Sequence, residues 1–241
     1  MKHTNYLIFT SYRTKTAMIE QSTLTFLNNL KANNNREWFA DHKAQYEQAK
    51  ANVEELVAGL INLIAEWNPA VAHVQPKDCM FRIYRDVRFS PNKAPYKTNM
   101  GAYITPGGKK SLACGYYIHI EPNDQHFFGG GAYMPPAPQL KMIRQEIDYH
   151  TSDFLAIIEN PLFLQRFGKL AEEYKLKTAP KGYAKDHPHL PLLVYTGYVV
   201  THSYTNAQVC NPQFLQNLNA DSQALQPMNE FLNRAMGLSN D

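Results

Sequence analysis

The chain has 241 residues, 44% of them hydrophobic and 19% charged, with a formal net charge of +3 at pH 7. This is ordinary globular composition with enough apolar material for a sizeable core, which excludes disordered and low-complexity classes. Three cysteines without metal or redox spacing argue against a disulfide framework, and no stretch approaches the roughly 20 apolar residues of a membrane span.

The N-terminus lacks the basic, apolar and small-residue order of a signal peptide, so a cytoplasmic protein is expected. Residues 1–17 carry no clear period and precede a second methionine, Met18. They read as an N-terminal extension ahead of a single α+β domain over 18–241, or as an added strand around Tyr6, Ile8 and Phe9. Leu24, Leu27 and Leu30 predict a short helix from Ser22, stopped by the polar run Asn33, Asn34 and Asn35. Asn34 and Glu37 have capping-box spacing and predict the start of the next helix. Its apolar positions, among them Trp38, Phe39, Tyr46, Val53, Leu56 and Leu60, recur at helical intervals as far as Trp67. Trp38 and Phe39 read as core anchors. Asn34, Arg36 and His42 fit a cap with a solvated face as well as the rim of a site.

The segment 77–104 is where the chain concentrates residues suited to function. Six cations (Lys77, Arg82, Arg85, Arg88, Lys93, Lys97) face two anions (Asp78, Asp86) between positions 77 and 97, a local charge of +4. With +3 for the whole chain, the remainder sums to −1, so the cationic character is focused. Phe81, Ile83, Val87 and Phe89 alternate as in a half-buried strand, which places Arg82, Tyr84, Asp86 and Arg88 on the opposite face. Side chains two apart on one face lie roughly 7 Å apart, so Asp86 can orient a guanidinium on either side. Arg85 falls on the apolar face and needs a carboxylate or carbonyl partner, or a bulge that re-aims it. A helical alternative would line up Phe81, Tyr84, Arg85 and Arg88. Ser90, Pro91 and Asn92 signal a reversal, returning Lys93, Tyr96 and Lys97 beside the first arm.

Further on, 111–120 and 125–133 read as strands, with Tyr116, Ile118 and Ile120 on one face of the first and Tyr117 and His119 on the other. With the two arms of the preceding segment they make a four-stranded antiparallel meander between Phe81 and Tyr133. Gly129, Gly130 and Gly131 match neither the dinucleotide fingerprint nor a P-loop, and Pro135, Pro136 and Pro138 remove donors from the helix start that follows. The glycines therefore read as a place of close backbone approach or a bulge. Helices are expected at about 136–148, near 153–158, and from Asn160-Pro161 to Tyr174. The polar stretch 175–191 holds Lys181, Tyr183, Asp186, His187 and His189, reads as a loop, and is expected to fold against the arginine segment. His187 is a candidate acid or base, paired with Asp186 or a more distant carboxylate. The two histidines lack a third ligand, so no metal site is expected. Positions 192–202 suggest a further strand, and 212–236 helices interrupted at Pro227.

Arg82-x-x-Arg85-Asp86-x-Arg88-Phe89 followed by Asn92-Lys93-x-x-Tyr96 resembles the signature of an uncharacterised bacterial family, domain of unknown function 2461. Asn34 to Phe39 with His42-Lys43, Gly129 to Gly131, and Pro180 to Tyr183 with Asp186 to Pro188 are similar to family features too. The resemblance covers about 22–231. Thr196 stands where the family pattern leads one to expect a lysine. The family carries no activity to transfer.

On the residues alone the fold is α+β, a central antiparallel sheet flanked by N-terminal and C-terminal helices. The favoured function is a site for a small phosphorylated or carboxylated ligand, using Arg82, Tyr84, Arg85, Arg88, Asn92, Lys93, Tyr96 and Lys97 with Lys181 and Tyr183; Asp86 and His187 are the candidate catalytic groups. A nucleic-acid surface is the first alternative, since Tyr84, Phe89 and Tyr96 interleave with cations, although the modest net charge counts against it. An internal arginine and aspartate network is the second. No cofactor can be named from the sequence.

Overall fold

In a computed structural model, residues 17–238 are described; the N-terminal extension read from the sequence lies outside them, apart from the buried Ala17. The chain opens with α1 (Gln21–Ala32), α2 (Arg36–Asp41) and α3 (Lys43–Ala65). Helical periodicity holds through the whole stretch, but it is split at His42, whose ring stacks on Trp38 at 4.0 Å and whose Nδ1 meets the Trp38 carbonyl at 2.8 Å. The cap of α2 is Asn35, which accepts the Trp38 N–H at 2.9 Å, and not Asn34. After the short α4 (Pro76–Cys79) come β1 (Met100–Ile104), β2 (Tyr116–Ile120) and β3 (His126–Ala132). Then follow α5 (Ala137–Tyr149), α6 (Thr151–Ile158), α7 (Pro161–Phe167), α8 (Leu190–Leu193), β4 (Tyr198–Tyr204), α9 (Asn206–Val209) and α10 (Phe214–Ala235).

The four strands form one antiparallel sheet in the order β1-β2-β3-β4. Its inner face carries Ala102 and Ile104, Tyr116, Ile118 and Ile120, Phe128, and Val200, all buried with the apolar sides of α3 and α10. The fold is α+β, as the strand spacing predicts. The membership of the sheet differs: residues 81–89 form neither strand nor helix, and β4 supplies the fourth strand. Proline at 91 and 95 removes donors from the returning arm, and the two arms pair only at Tyr84 and Tyr96. Three further boundaries move. Gly168, at φ 67, ends α7 at Phe167, well short of Tyr174. β4 starts only at Tyr198, because residues 190–193 are helical. α10 runs through Pro227 without a break, held by buried Leu225, Met228, Phe231 and Leu232, so packing overrides the lost hydrogen bond.

At the centre of β3, a side chain on Gly130 would collide with the Gly115 carbonyl and with Leu225 of α10. Close approach is thus the reason for the glycine run. Cys79 and Cys114 are buried free thiols, and Cys210 is free and half-buried. No described helix is long and apolar enough to cross a membrane.

Candidate anion-binding cleft

The segment 80–97 starts at the outer edge of β1. Met80 bridges to Ala102, the Phe81 N–H donates to the Gly101 carbonyl at 2.9 Å, and the Lys97 N–H donates to the Ile83 carbonyl at 2.8 Å. The segment therefore leaves the sheet edge, makes a hairpin-like excursion, and returns. Asn34 holds the return arm. Its Oδ1 accepts the Tyr96 N–H at 3.0 Å and its Nδ2 donates to the Tyr96 carbonyl at 2.9 Å, so one amide stands in for a neighbouring strand. The Tyr96 ring is buried against Phe39, with centroids 4.0 Å apart.

At the base of the excursion an open cleft of about 570 Å³ is bounded by α3, α4, residues 80–83, Lys97, β1 and the turn at 109–110. Arg82 and Lys97 meet there, joined by Lys50, Lys77, Lys109 and Lys110, against one carboxylate, Glu54. Glu54 pairs with Lys50 at 3.5 Å, and Lys109 donates to the Lys77 and Asp78 carbonyls at 3.2 and 3.1 Å. Among the described residues neither Arg82 nor Lys97 has a carboxylate within salt-bridge distance. Burial, and then the charge of Arg82, pull the Lys97 ammonium below the usual lysine range. Its Nζ also lies 5.5 Å from the centre of the Phe81 ring.

The other motif residues belong to the excursion and not to the cleft lining. Arg85 finds the partner its position demands: it donates to the Ala94 carbonyl at 3.0 Å and to the Ser90 hydroxyl at 3.3 Å. Arg88 makes a two-pronged pair with Asp86, at 3.0 and 2.6 Å, with side chains 76% and 47% exposed. Asp86 is held below the usual carboxylate range by these Arg88 hydrogen bonds first, with Arg82 adding a weaker pull. So exposed a pair is not an internal network. Asn92 accepts the Ala94 N–H, and the Lys93 ammonium reaches the Val87 carbonyl. Tyr84 and Phe89 are exposed, Phe89 at 94%.

Residues 22–231 match the family described as Conserved hypothetical protein (DUF2461). The chain belongs to this family, domain of unknown function 2461. No curated protein and no solved structure matches it.

In this member of family 2461 the second polar stretch lies at the other edge of the sheet. Residues 171–176 bond to Val199, Val194 and Thr196, next to β4. His187 Nδ1 accepts the His189 N–H at 3.2 Å, and its Nε2 faces Asp148 of α5 at 3.2 Å, so its partner is the distant carboxylate. Burial, then Asp148, push the half-buried Tyr183 hydroxyl up. Lys181 is exposed. Three strand spacings separate β1 from β4, about 14 Å. Among the described residues no hydrogen bond or ion pair joins 175–191 to 77–97, and His187 is paired with α5 instead.

Sequence reasoning missed Lys50, Lys109 and Lys110 as cleft residues. Tyr46, Lys50 and Glu54 were findable as one helix face at i, i+4 and i+8. Also missed is a chain on the outer face of β2. Glu121 lies 3.0 Å from His119 Nε2, and His119 Nδ1 lies 3.1 Å from the Tyr117 hydroxyl. The hydroxyl occupies space that Gly101 leaves open, and burial pushes it up to about 12, so Tyr117 stays protonated.

Proposed function

We propose that the cleft binds an oxyanion, the phosphate or carboxylate of a ligand, between Arg82 and Lys97, with Lys77, Lys109 and Lys110 adding charge. The observation that carries this reading is the pairing of two cations, one of them partly desolvated, without a carboxylate between them. Bringing like charges together in a half-buried place costs stability unless a third, opposite charge completes the site. Arginine supplies a planar fork for two oxygens, and lysine a point charge from the side. The reading rests on Arg82 and Lys97 and no longer on Arg85 or Arg88, whose donors are used within the excursion.

Thermal unfolding with increasing inorganic phosphate, pyrophosphate and citrate tests it. A ligand at 100 times its dissociation constant contributes about 2.7 kcal/mol, which for a chain of this size raises Tm by roughly 5–10 °C. Arg82→Ala and Lys97→Ala should each remove most of that shift, and affinity should fall as pH rises through the lowered Lys97 pKa, because only the ammonium attracts the anion. Equal shifts in wild type and both variants would overturn the assignment.

A further inference from the structure

The cationic surface does not end at the cleft. Its floor includes the bases of both arms, Arg82 and Ile83 on one and Lys97 on the other, so the excursion rises directly from its rim. Residues 83–89 can extend at most about 20 Å from that base. Along this path the exposed aromatics Phe81, Tyr84 and Phe89 alternate with Arg82, Arg85 and Arg88, and Lys93 lies beside them. Phe89 is 94% exposed at the far end, with the Arg88 guanidinium 5.9 Å from its ring centre. A single phosphate would occupy the cleft and leave this path unused.

We infer that the ligand of the cleft is single-stranded nucleic acid, with backbone phosphates on Arg82, Lys97 and their neighbouring lysines and bases stacked on Tyr84 and Phe89. The inference rests on the anion-binding reading of the cleft and names its ligand class. A repeating charge along a flexible strand suits a row of separated cations, and unpaired bases offer the faces that exposed aromatics stack on. A duplex keeps those faces stacked inside. A bilayer is a poorer fit, because the tip around Phe89 carries Asp86, Arg88, Ser90 and Asn92 and offers one fully exposed apolar side chain. The small net charge of the chain is no obstacle, since the cations are gathered along one path.

The test is fluorescence anisotropy with a labelled oligothymidylate of about twelve nucleotides. Among the described residues Lys77, Arg82, Lys93, Lys97 and Lys110 have no carboxylate partner, and neutralising about five phosphates gives a log–log salt slope of about −3.5, roughly a 100-fold loss between 50 and 200 mM salt. Phe89→Ala, at a position too exposed to disturb the fold, should weaken oligonucleotide binding about 5- to 100-fold while leaving pyrophosphate binding, read by calorimetry, unchanged. Pyrophosphate binding without oligonucleotide binding would overturn this inference and leave the anion site standing. Absence of both would remove both. Oligonucleotide binding indifferent to Phe89→Ala and Tyr84→Ala, duplex binding as tight as single-strand binding, or binding to anionic phosphatidylserine vesicles in place of the oligonucleotide would each overturn it.

Discussion

Asn34 makes the two hydrogen bonds that fix Tyr96 next to Lys97, and its removal is the most direct way to ask whether the cleft is preorganised. Asn34→Ala deprives the Tyr96 N–H and carbonyl of their partners at once. An unmade bond to a buried polar group costs about 1–3 kcal/mol, and these groups are half-buried, so the pair together should contribute about 2 kcal/mol. For a chain of this length that lowers Tm by roughly 4–8 °C. Asn34→Asp is the sharper variant. It keeps an acceptor for the Tyr96 N–H but turns the donor into an oxygen facing the Tyr96 carbonyl, so it should be at least as damaging as alanine despite its equal size. Thermal melts read the stability, and pyrophosphate calorimetry reads the cleft, where affinity should fall as Lys97 loses its fixed backbone. A melt within about 1 °C of wild type for both variants would refute the reasoning, since it would mean that Phe39 stacking and the bridge to Tyr84 hold Tyr96 without Asn34.

Arg88→Ala should leave Tm within about 2 °C of wild type, because the Asp86 pair is open to solvent and strands no buried charge. Asp221→Ala should cost about 3–5 kcal/mol in urea denaturation: this fully buried carboxylate accepts from Arg166 at 3.0 Å, His202 at 2.8 Å and Tyr204 at 2.5 Å, tying α7, β4 and α10 together. His126 should make the fold acid-sensitive. Its imidazole is buried, accepts the Glu121 N–H and meets Asn206, and burial holds its pKa below the usual range. Its contribution is therefore complete above the unfolded value of about 6.5 and lost as pH falls from there through the folded value; His126→Gln should lower stability at neutral pH and flatten this slope in melts from pH 7.5 to 5.

The sheet and most helices were legible because their signal is local. Tyr116, Ile118 and Ile120 alternate along five residues and do pack inward, and the leucines of α1 recur at the spacing that buries them. The excursion defeated the same rule. Phe81, Ile83, Val87 and Phe89 have the alternation of a strand, yet of the four Ile83 alone is buried, because alternation makes a strand only where a partner offers backbone groups along its length. The demand that Arg85 find a carbonyl was legible, since it follows from the cost of an unpaired cation. Which carbonyl was not. The cleft itself is assembled across long separations, from Lys50 on α3, Lys109 and Lys110 after a turn, and Arg82 and Lys97 on two arms, and no local period records that meeting. The Asn34 bonds to Tyr96 span 62 residues, and the capping reading of Asn34 failed for the same reason.

A cationic segment that starts at the edge of β1 has a rival explanation in edge protection. Strands at the edge of a sheet present unpaired backbone groups, and charged side chains beside them discourage pairing between molecules. Met80 and Phe81 do bond to β1, at Ala102 and Gly101, so this role is physically real for that stretch of the edge. The two explanations differ in the sign of charge they need. Edge protection works by repulsion and desolvation, for which a carboxylate serves as well as an ammonium; an anion site requires cations. Lys109→Glu with Lys110→Glu places the reversal on exposed or half-buried positions of a turn whose glycines, Gly107 and Gly108, take positive φ, at the loss of the Lys109 hydrogen bonds to the Lys77 and Asp78 carbonyls. If the cations guard the edge alone, the double variant keeps the sedimentation behaviour of wild type and its thermal response to pyrophosphate, if wild type has one, is unchanged. If they build the cleft, its sedimentation is again that of wild type but the pyrophosphate shift is lost, because two repulsive charges now border Arg82 and Lys97. A variant that keeps the full shift would remove Lys109 and Lys110 from the site and confine it to the two arms.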